Sequence, residues 1–182
     1  MSEDSYQQLQ VLDERIELRV KAIRNENDWW LCKRGCDHCC RHLASPPELS
    51  HLEWMRVDEA VAALDISVRS EIKKKINLLL MQIASNNMPT HIICPYLDED
   101  SGSCLIYDAR PIICRIYGYF VARDGDFYCK FIETEVSSRV DSNVVWGNAE
   151  AVYNTLNQIS GEPIPFEVHY SQATSLPCIE GC

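Results

Sequence analysis

The chain has 182 residues, 46% of them hydrophobic and 24% charged, which suits one compact domain with a real core and excludes a disordered chain. Its formal net charge of −10 and pI near 4.9 exclude a general attraction to phosphate backbones or anionic lipid, so nucleic acid is not an expected partner. The start, MSEDSYQQLQ, has neither the basic flank nor the apolar run of a secretory signal, and no window approaches the roughly 20 apolar residues of a membrane span. A cytoplasmic protein with no membrane partner is expected.

From Ser5 to Asn27, Leu9, Leu12, Ile16, Val20 and Ile23 step by three or four with charges between them, predicting an amphipathic helix. Trp29, Trp30 and Leu31 follow and are expected to wedge into the core. Ser50-His-Leu-Glu53 has the capping-box pattern, which starts a second helix running to about Leu64, just after Pro46 and Pro47. Ser67 is expected to cap a third helix to Ser85, with Ile72, Ile76, Leu79, Leu80 and Ile83 as its buried stripe.

At Asn86-Asn-Met-Pro89 the character changes to short turns and short elements. Asp108-Ala-Arg-Pro111 predicts a helical turn capped by Asp108, with Pro111 in its first turn. The aromatic and β-branched runs IYGYFVAR and DFYCKF flank Asp124-Gly125 and predict a hairpin. Asn148 to Ile159 reads as a last helix with Val152, Leu156 and Ile159 on one face. Pro163, Pro165 and Pro177 then predict an extended tail. The fold expected is mainly α with a small β-hairpin: a single domain over residues 1–165, with a core motif region at 31–130, helices packed around a loop-rich cysteine site, and a tail at 166–182.

Ten cysteines stand at positions 32, 36, 39, 40, 94, 104, 114, 129, 178 and 182. In a reducing compartment a disulfide framework is not expected, so clustered thiols call for another explanation. A tetrahedral thiolate site draws its sulfurs from spacings of two to four residues folded around the metal. Cys36-Asp-His-Cys39 has that spacing, and Cys32 lies about one helical turn earlier. The vicinal Cys39 and Cys40 diverge as neighbours, so one ligates while the other serves a second metal or packs beneath the site; a polynuclear cluster accommodates both more easily. Cys94-Pro95, SGSC ending at Cys104, and RPIIC ending at Cys114 offer further sulfurs together with backbone amides. Arg110 and Arg115 bracket Cys114 and are candidates to offset thiolate charge. Cys129 reads equally as a ligand or a buried strand cysteine, Cys178 and Cys182 as incidental or accessory thiols, and His38 and His42 as nitrogen donors or, more commonly for such positions, histidines solvated near a metal loop.

The runs CKRGCDHCC at 32–40 and CPYLDEDSGSCLIYDARPIICRIYGY at 94–119 together resemble the YkgJ-type cysteine cluster protein family, also described as a zinc- or iron-chelating domain. The resemblance covers Leu31 to Tyr119. Here three residues separate Cys32 from Cys36 where two are common in that family, and Asp37 stands where glycine is common. The resemblance implies metal binding, with zinc or an iron–sulfur cluster as cofactor. A related cysteine arrangement occurs in flagellin lysine methylases, but nothing outside the cysteine region resembles the rest of those longer enzymes.

Thiolate-only ligation suits both zinc and iron–sulfur; more than four placed cysteines with a vicinal pair favours the cluster. The leading functional expectation is a metal-binding protein. A cluster-assisted redox or group-transfer enzyme and a structural-zinc interaction module with a basic protein partner are the alternatives. No catalytic residue is assigned, because there is no GxGxxG or GxxxxGKS phosphate cradle and no strand-then-helix setting for a thioredoxin-like pair.

Overall fold

The computed structural model describes residues 3–123, 129–139 and 144–174. The first helix, α1 (Glu3–Glu26), has no internal glycine or proline and buries Leu9, Leu12, Ile16, Val20 and Ile23, the stripe its sequence spacing predicts. Asn27 closes it by donating its side-chain amide to the Ile23 carbonyl at 2.8 Å, satisfying one of the free acceptors of the last turn. The stripe packs on α5 (Ile112–Ile116) and α7 (Ala149–Ser160) to form a first core, to which Trp30, Tyr119, Phe120 and Ile132 also belong. Trp29 is partly buried there, whereas Leu31 is exposed.

A second core lies between α3 (His51–Ala62), α4 (Ile66–Ala84) and α8 (Phe166–Thr174), with Trp54, Val57, Ile72, Ile76, Leu79, Tyr96, Ile106 and Phe166 inside. The α4 helix begins after Asp65 rather than at Ser67. The segment after Gly161, expected to be extended, pairs β6 (Ile164–Pro165) with β1 (Glu48–Leu49) and then turns helical. Phe166 is fully buried, and the His169 ring stacks on Trp54 with centroids 4.3 Å apart. Residues 175–182, with Pro177, Cys178 and Cys182, lie outside the described residues.

Glu53 joins the two cores. It is 1% exposed, and its carboxyl oxygens accept from the Ser50 amide (2.9 Å), the Ser50 hydroxyl (2.8 Å) and the Ile112 amide (2.7 Å). One side chain thus completes the N-terminus of α3 and of α5, two sets of donors that would otherwise be orphaned in an apolar setting. Pro111 sets up the second of these ends. It holds Arg110 extended, so a 3₁₀ turn at Tyr107–Ala109 stops and a new helix starts, rather than one helical turn running on from Asp108.

A small antiparallel hairpin is present, β2 (Leu97–Asp98) with β3 (Ser103–Cys104), placed earlier than the one read from sequence. The expected first arm supplies β4 (Phe120–Val121), which pairs in parallel with β5 (Gly147–Asn148). Of the expected second arm, residues 126–128 lie outside the described residues, and residues 129–131 are instead the start of α6 (Lys130–Ser138) with Cys129 as its N-cap, because Ile132 and Val136, four apart, bury on one helical face. Asp124-Gly125 lies outside the described residues. Asn148 caps α7, its side chain accepting from the Ala151 amide at 3.0 Å. Among the described residues, no helix is long and apolar enough to cross a membrane.

Glu53→Ala orphans the Ile112 and Ser50 amides in the interior and is expected to cost about 2–5 kcal/mol in urea unfolding. Glu59→Ala removes an exposed carboxylate of the same helix that meets only the Tyr6 hydroxyl, and is expected to change stability by less than about 0.5 kcal/mol.

Candidate metal centre

The first cysteine loop leaves the first core at Trp30. The Tyr119 hydroxyl donates to the Cys32 carbonyl, and the Tyr119 ring stacks on Trp30 with centroids 5.8 Å apart. The three-residue interval between Cys32 and Cys36 closes as a turn, the Cys36 amide donating to the Lys33 carbonyl at 3.0 Å with Gly35 at φ +91°. Cys39 and Cys40 lie on α2 (His38–Arg41). Arg41 ties this short helix down, pairing with Asp37 at 2.5 Å and donating to the Glu99 carbonyl at 2.8 Å. Asp37 in turn sits so close to Gly102 that a Cβ there would lie 3.1 Å from its carboxylate.

The second group of cysteines is stitched to the first by backbone. The Cys94 amide donates to the Cys40 carbonyl at 2.7 Å, and Leu43 and Ile92 exchange both of their hydrogen bonds at 3.0 Å. Cys104 pairs with Leu97 across the β2–β3 hairpin, and Cys114 lies on α5, whose start Glu53 fixes.

Each of the seven cysteines singled out as candidate ligands is an electrostatic neighbour of at least one other, and Cys129 neighbours Cys36 and Cys39. Cys32 and Cys129 flank Gly118: a Cβ at that glycine would lie 3.4 Å from the Cys32 sulfur and 3.6 Å from the Cys129 Cβ. These two cysteines pack with the first core, while Cys94 and Cys104 pack with the second. Cys39 and Cys40 stand between, with sulfurs 4.0 Å apart. None of the eight described cysteines is in a disulfide.

Burial and crowding disfavour the thiolate forms of Cys32, Cys39, Cys40, Cys104, Cys114 and Cys129. Burial first, and then the neighbouring thiols of Cys36 and Cys39, push Cys32 up to about 12. A hydrogen bond with Cys40, then burial, raises Cys39. For Cys40 the bond with Cys39 favours the thiolate, but the bond with Cys94, burial and the Cys94 and Cys104 thiols outweigh it, and the group is pushed up to about 12. Burial also raises Cys104 and Cys129. Cys114 is raised by burial and by Cys39, Cys40 and Cys104; since the residue as a whole is exposed, the neighbouring thiols are the firmer of these causes. A bound cation reverses this balance, releasing protons and favouring thiolates.

Of the two arginines proposed to offset thiolate charge, Arg110 lies close enough to Cys104 and Cys114 to favour their ionised forms. Arg115 turns the other way, pairing with Asp13 at 3.2 Å and donating to the Asp108 and Arg110 carbonyls. Arg34, which the sequence did not single out, takes a place beside Cys104, and both it and Arg110 lie over the Tyr107 ring at 4.3 and 3.6 Å. The rings of His38, His42 and His91 form a row, with centroids 4.4 and 5.1 Å apart, and the His42 Nδ1 donates to the His38 carbonyl at 2.8 Å.

The donor set suits a thiophilic metal: eight free thiols, of which Cys129 is buried, five are half-buried, and Cys36 and Cys114 are exposed. A zinc–sulfur bond of about 2.3 Å implies sulfurs about 3.8 Å apart in a tetrahedron, and the Cys39–Cys40 pair at 4.0 Å is near that edge. Among the described residues no three His, Cys, Asp or Glu side chains already form a group able to hold an ion. Closing a cage requires side-chain rotation, as expected where metal binding and local ordering are coupled.

Residues 31–137, more than half of the chain, match the family model CxxCxxCC, described as "Putative zinc- or iron-chelating domain". No curated protein and no solved structure matches the chain.

Gly118 combines φ +78° with contact to Cys32 and Cys129. Gly118→Ala is expected to cost about 1–3 kcal/mol in backbone strain, read as a lowered midpoint in urea unfolding.

Proposed function

The chain belongs to the CxxCxxCC family, and on that premise we propose that it is a cytoplasmic metalloprotein. Its thiolates are those of Cys32, Cys36, Cys39, Cys40, Cys94, Cys104 and Cys114, and its cofactor is an iron–sulfur cluster in preference to zinc. The observation that carries this reading is the convergence of two loops, 54 residues apart at the Cys40–Cys94 hydrogen bond, on one crowd of free thiols. A fold that needed these cysteines only as small apolar fillers would have no reason to leave Cys36 and Cys114 exposed. Such crowding opposes ionisation of the bare thiols and becomes favourable when a cation is shared among them.

The residues around the sulfurs have separate tasks. Arg34 and Arg110 supply positive charge beside Cys104, and Tyr107 holds both guanidiniums in place. Backbone hydrogen bonds between the loops fix their approach, and Glu53 sets the height of Cys114. When bound, an iron–sulfur cluster supplies one-electron chemistry, and zinc supplies a structural staple.

Anaerobic purification followed by iron, zinc and acid-labile sulfide analysis, with a visible spectrum of the same sample, tests the reading. Iron with sulfide and broad visible absorption is expected; stoichiometric zinc in a colourless sample would replace the cluster with a structural site. A chain that retains neither metal, and does not take one up under reducing conditions, would overturn the proposal. Chelation of the reduced protein is expected to loosen residues 31–45 and 94–115, seen as new proteolytic cleavage there and a loss of circular dichroism.

A further inference from the structure

We infer that the eight described cysteines form two thiolate sites, Cys129 completing a set with Cys32, Cys36 and Cys39 while Cys40, Cys94, Cys104 and Cys114 form the other, so that one chain binds two metal ions. This rests on the proposed metal binding, taken in its zinc form, and specifies how many ions the thiols hold and which sulfurs hold each.

Four sulfurs saturate a tetrahedral site, so eight are twice what one ion can use. The structure also sorts them. Cys32 and Cys129 both lie against the side of Gly118 that a Cβ would occupy, and they belong to the first core. Cys94 and Cys104 belong to the second core, and Cys94 is bonded through its amide to Cys40. The Cys40 thiol has Cys94 and Cys104 as neighbours, and Cys114 has Cys40 and Cys104. Cys129 has Cys36 and Cys39, and Cys32 has Cys36, Cys39 and Cys129. Cys39, which also neighbours Cys104 and Cys114, lies at the border.

The vicinal pair is the hinge of this division. Successive side chains on a helix point about 100° apart, and α2 carries Cys39 and Cys40 in succession between the two cores. Each can therefore enter a different tetrahedron while their sulfurs stay 4.0 Å apart, which makes the two sites adjacent. The position of Cys129 as N-cap of α6 adds a consequence: its backbone leads directly into Ile132, so a metal bound there anchors that helix to the first core.

The test is zinc reconstitution of the reduced full chain, with bound Zn²⁺ counted per chain by elemental analysis after removal of free ion. Two ions are expected in the unaltered chain. Cys36→Ser and Cys129→Ser should each retain one, their double variant should still retain one, and Cys36→Ser combined with Cys114→Ser should retain none. Cys36 and Cys114 are exposed, so these substitutions test the division even if Cys129→Ser does not fold. Cadmium-113 resonance of the unaltered chain should show two signals in the four-sulfur range. A single ion per chain, a single cadmium signal, or full zinc content in Cys129→Ser would overturn the two-site division while leaving metal binding intact. No bound zinc in the unaltered chain would likewise overturn the two-site division, while iron and acid-labile sulfide in the anaerobic sample would still support the proposed cluster.

Discussion

The arrangement depends on one buried carboxyl group. Glu53 accepts three hydrogen bonds at the junction of the two cores, and removing it would leave two helix N-termini with unpaired donors away from water. Because α5 starts where Glu53 says it starts, Cys114 reaches the other sulfurs from a defined height. Nearby contacts reinforce the junction: the Leu52 amide bonds the Ser160 hydroxyl at 3.1 Å, and the Trp54 indole donates to the Ile164 carbonyl at 3.0 Å. The start of α3 is thus held by α5, by the end of α7 and by β6 at once. The thiol-bearing loops have little regular structure of their own, so this frame provides their rigidity.

Parts of this were legible in the sequence because the information is local. The α1 stripe and the Asn148 cap recur within a few residues, and the structure follows them. The Ser50–Glu53 pattern was readable as a helix start, but the bond from Ile112 to the same carboxyl spans 59 residues and has no local sign. Residues 129–131 look like the end of a strand when read from sequence. Ile132 and Val136 shift the balance to a helix, since the first core rewards a residue every four positions. Similarly, Pro163 and Pro165 suggest extension, yet Phe166, His169 and Tyr170 share a helical face that covers Trp54. Tertiary burial overrode local punctuation there.

The cysteine region shows the same contrast. Which thiols gather was legible from spacing, since short intervals and turn residues can only bring sulfurs near one another. Their division was not, because it depends on which core each loop leans against. Arg115 illustrates the limit: adjacent in sequence to Cys114, it faces Asp13 instead, while Arg34, 70 residues from Cys104, stands beside it.

The backbone link from Cys94 to Cys40 also sets an order of events during synthesis. At roughly 5–20 residues per second, the ribosome delivers Cys114 about 4–15 s after Cys40. For that interval the first four thiols have emerged without the frame or the partner loops that later enclose them. The nascent chain is then a flexible chelator and an oxidisable one, exposed to whichever metal or oxidant it meets first. The second loop, tied to the first through the Cys94 amide, is what later encloses these thiols and ends that exposure.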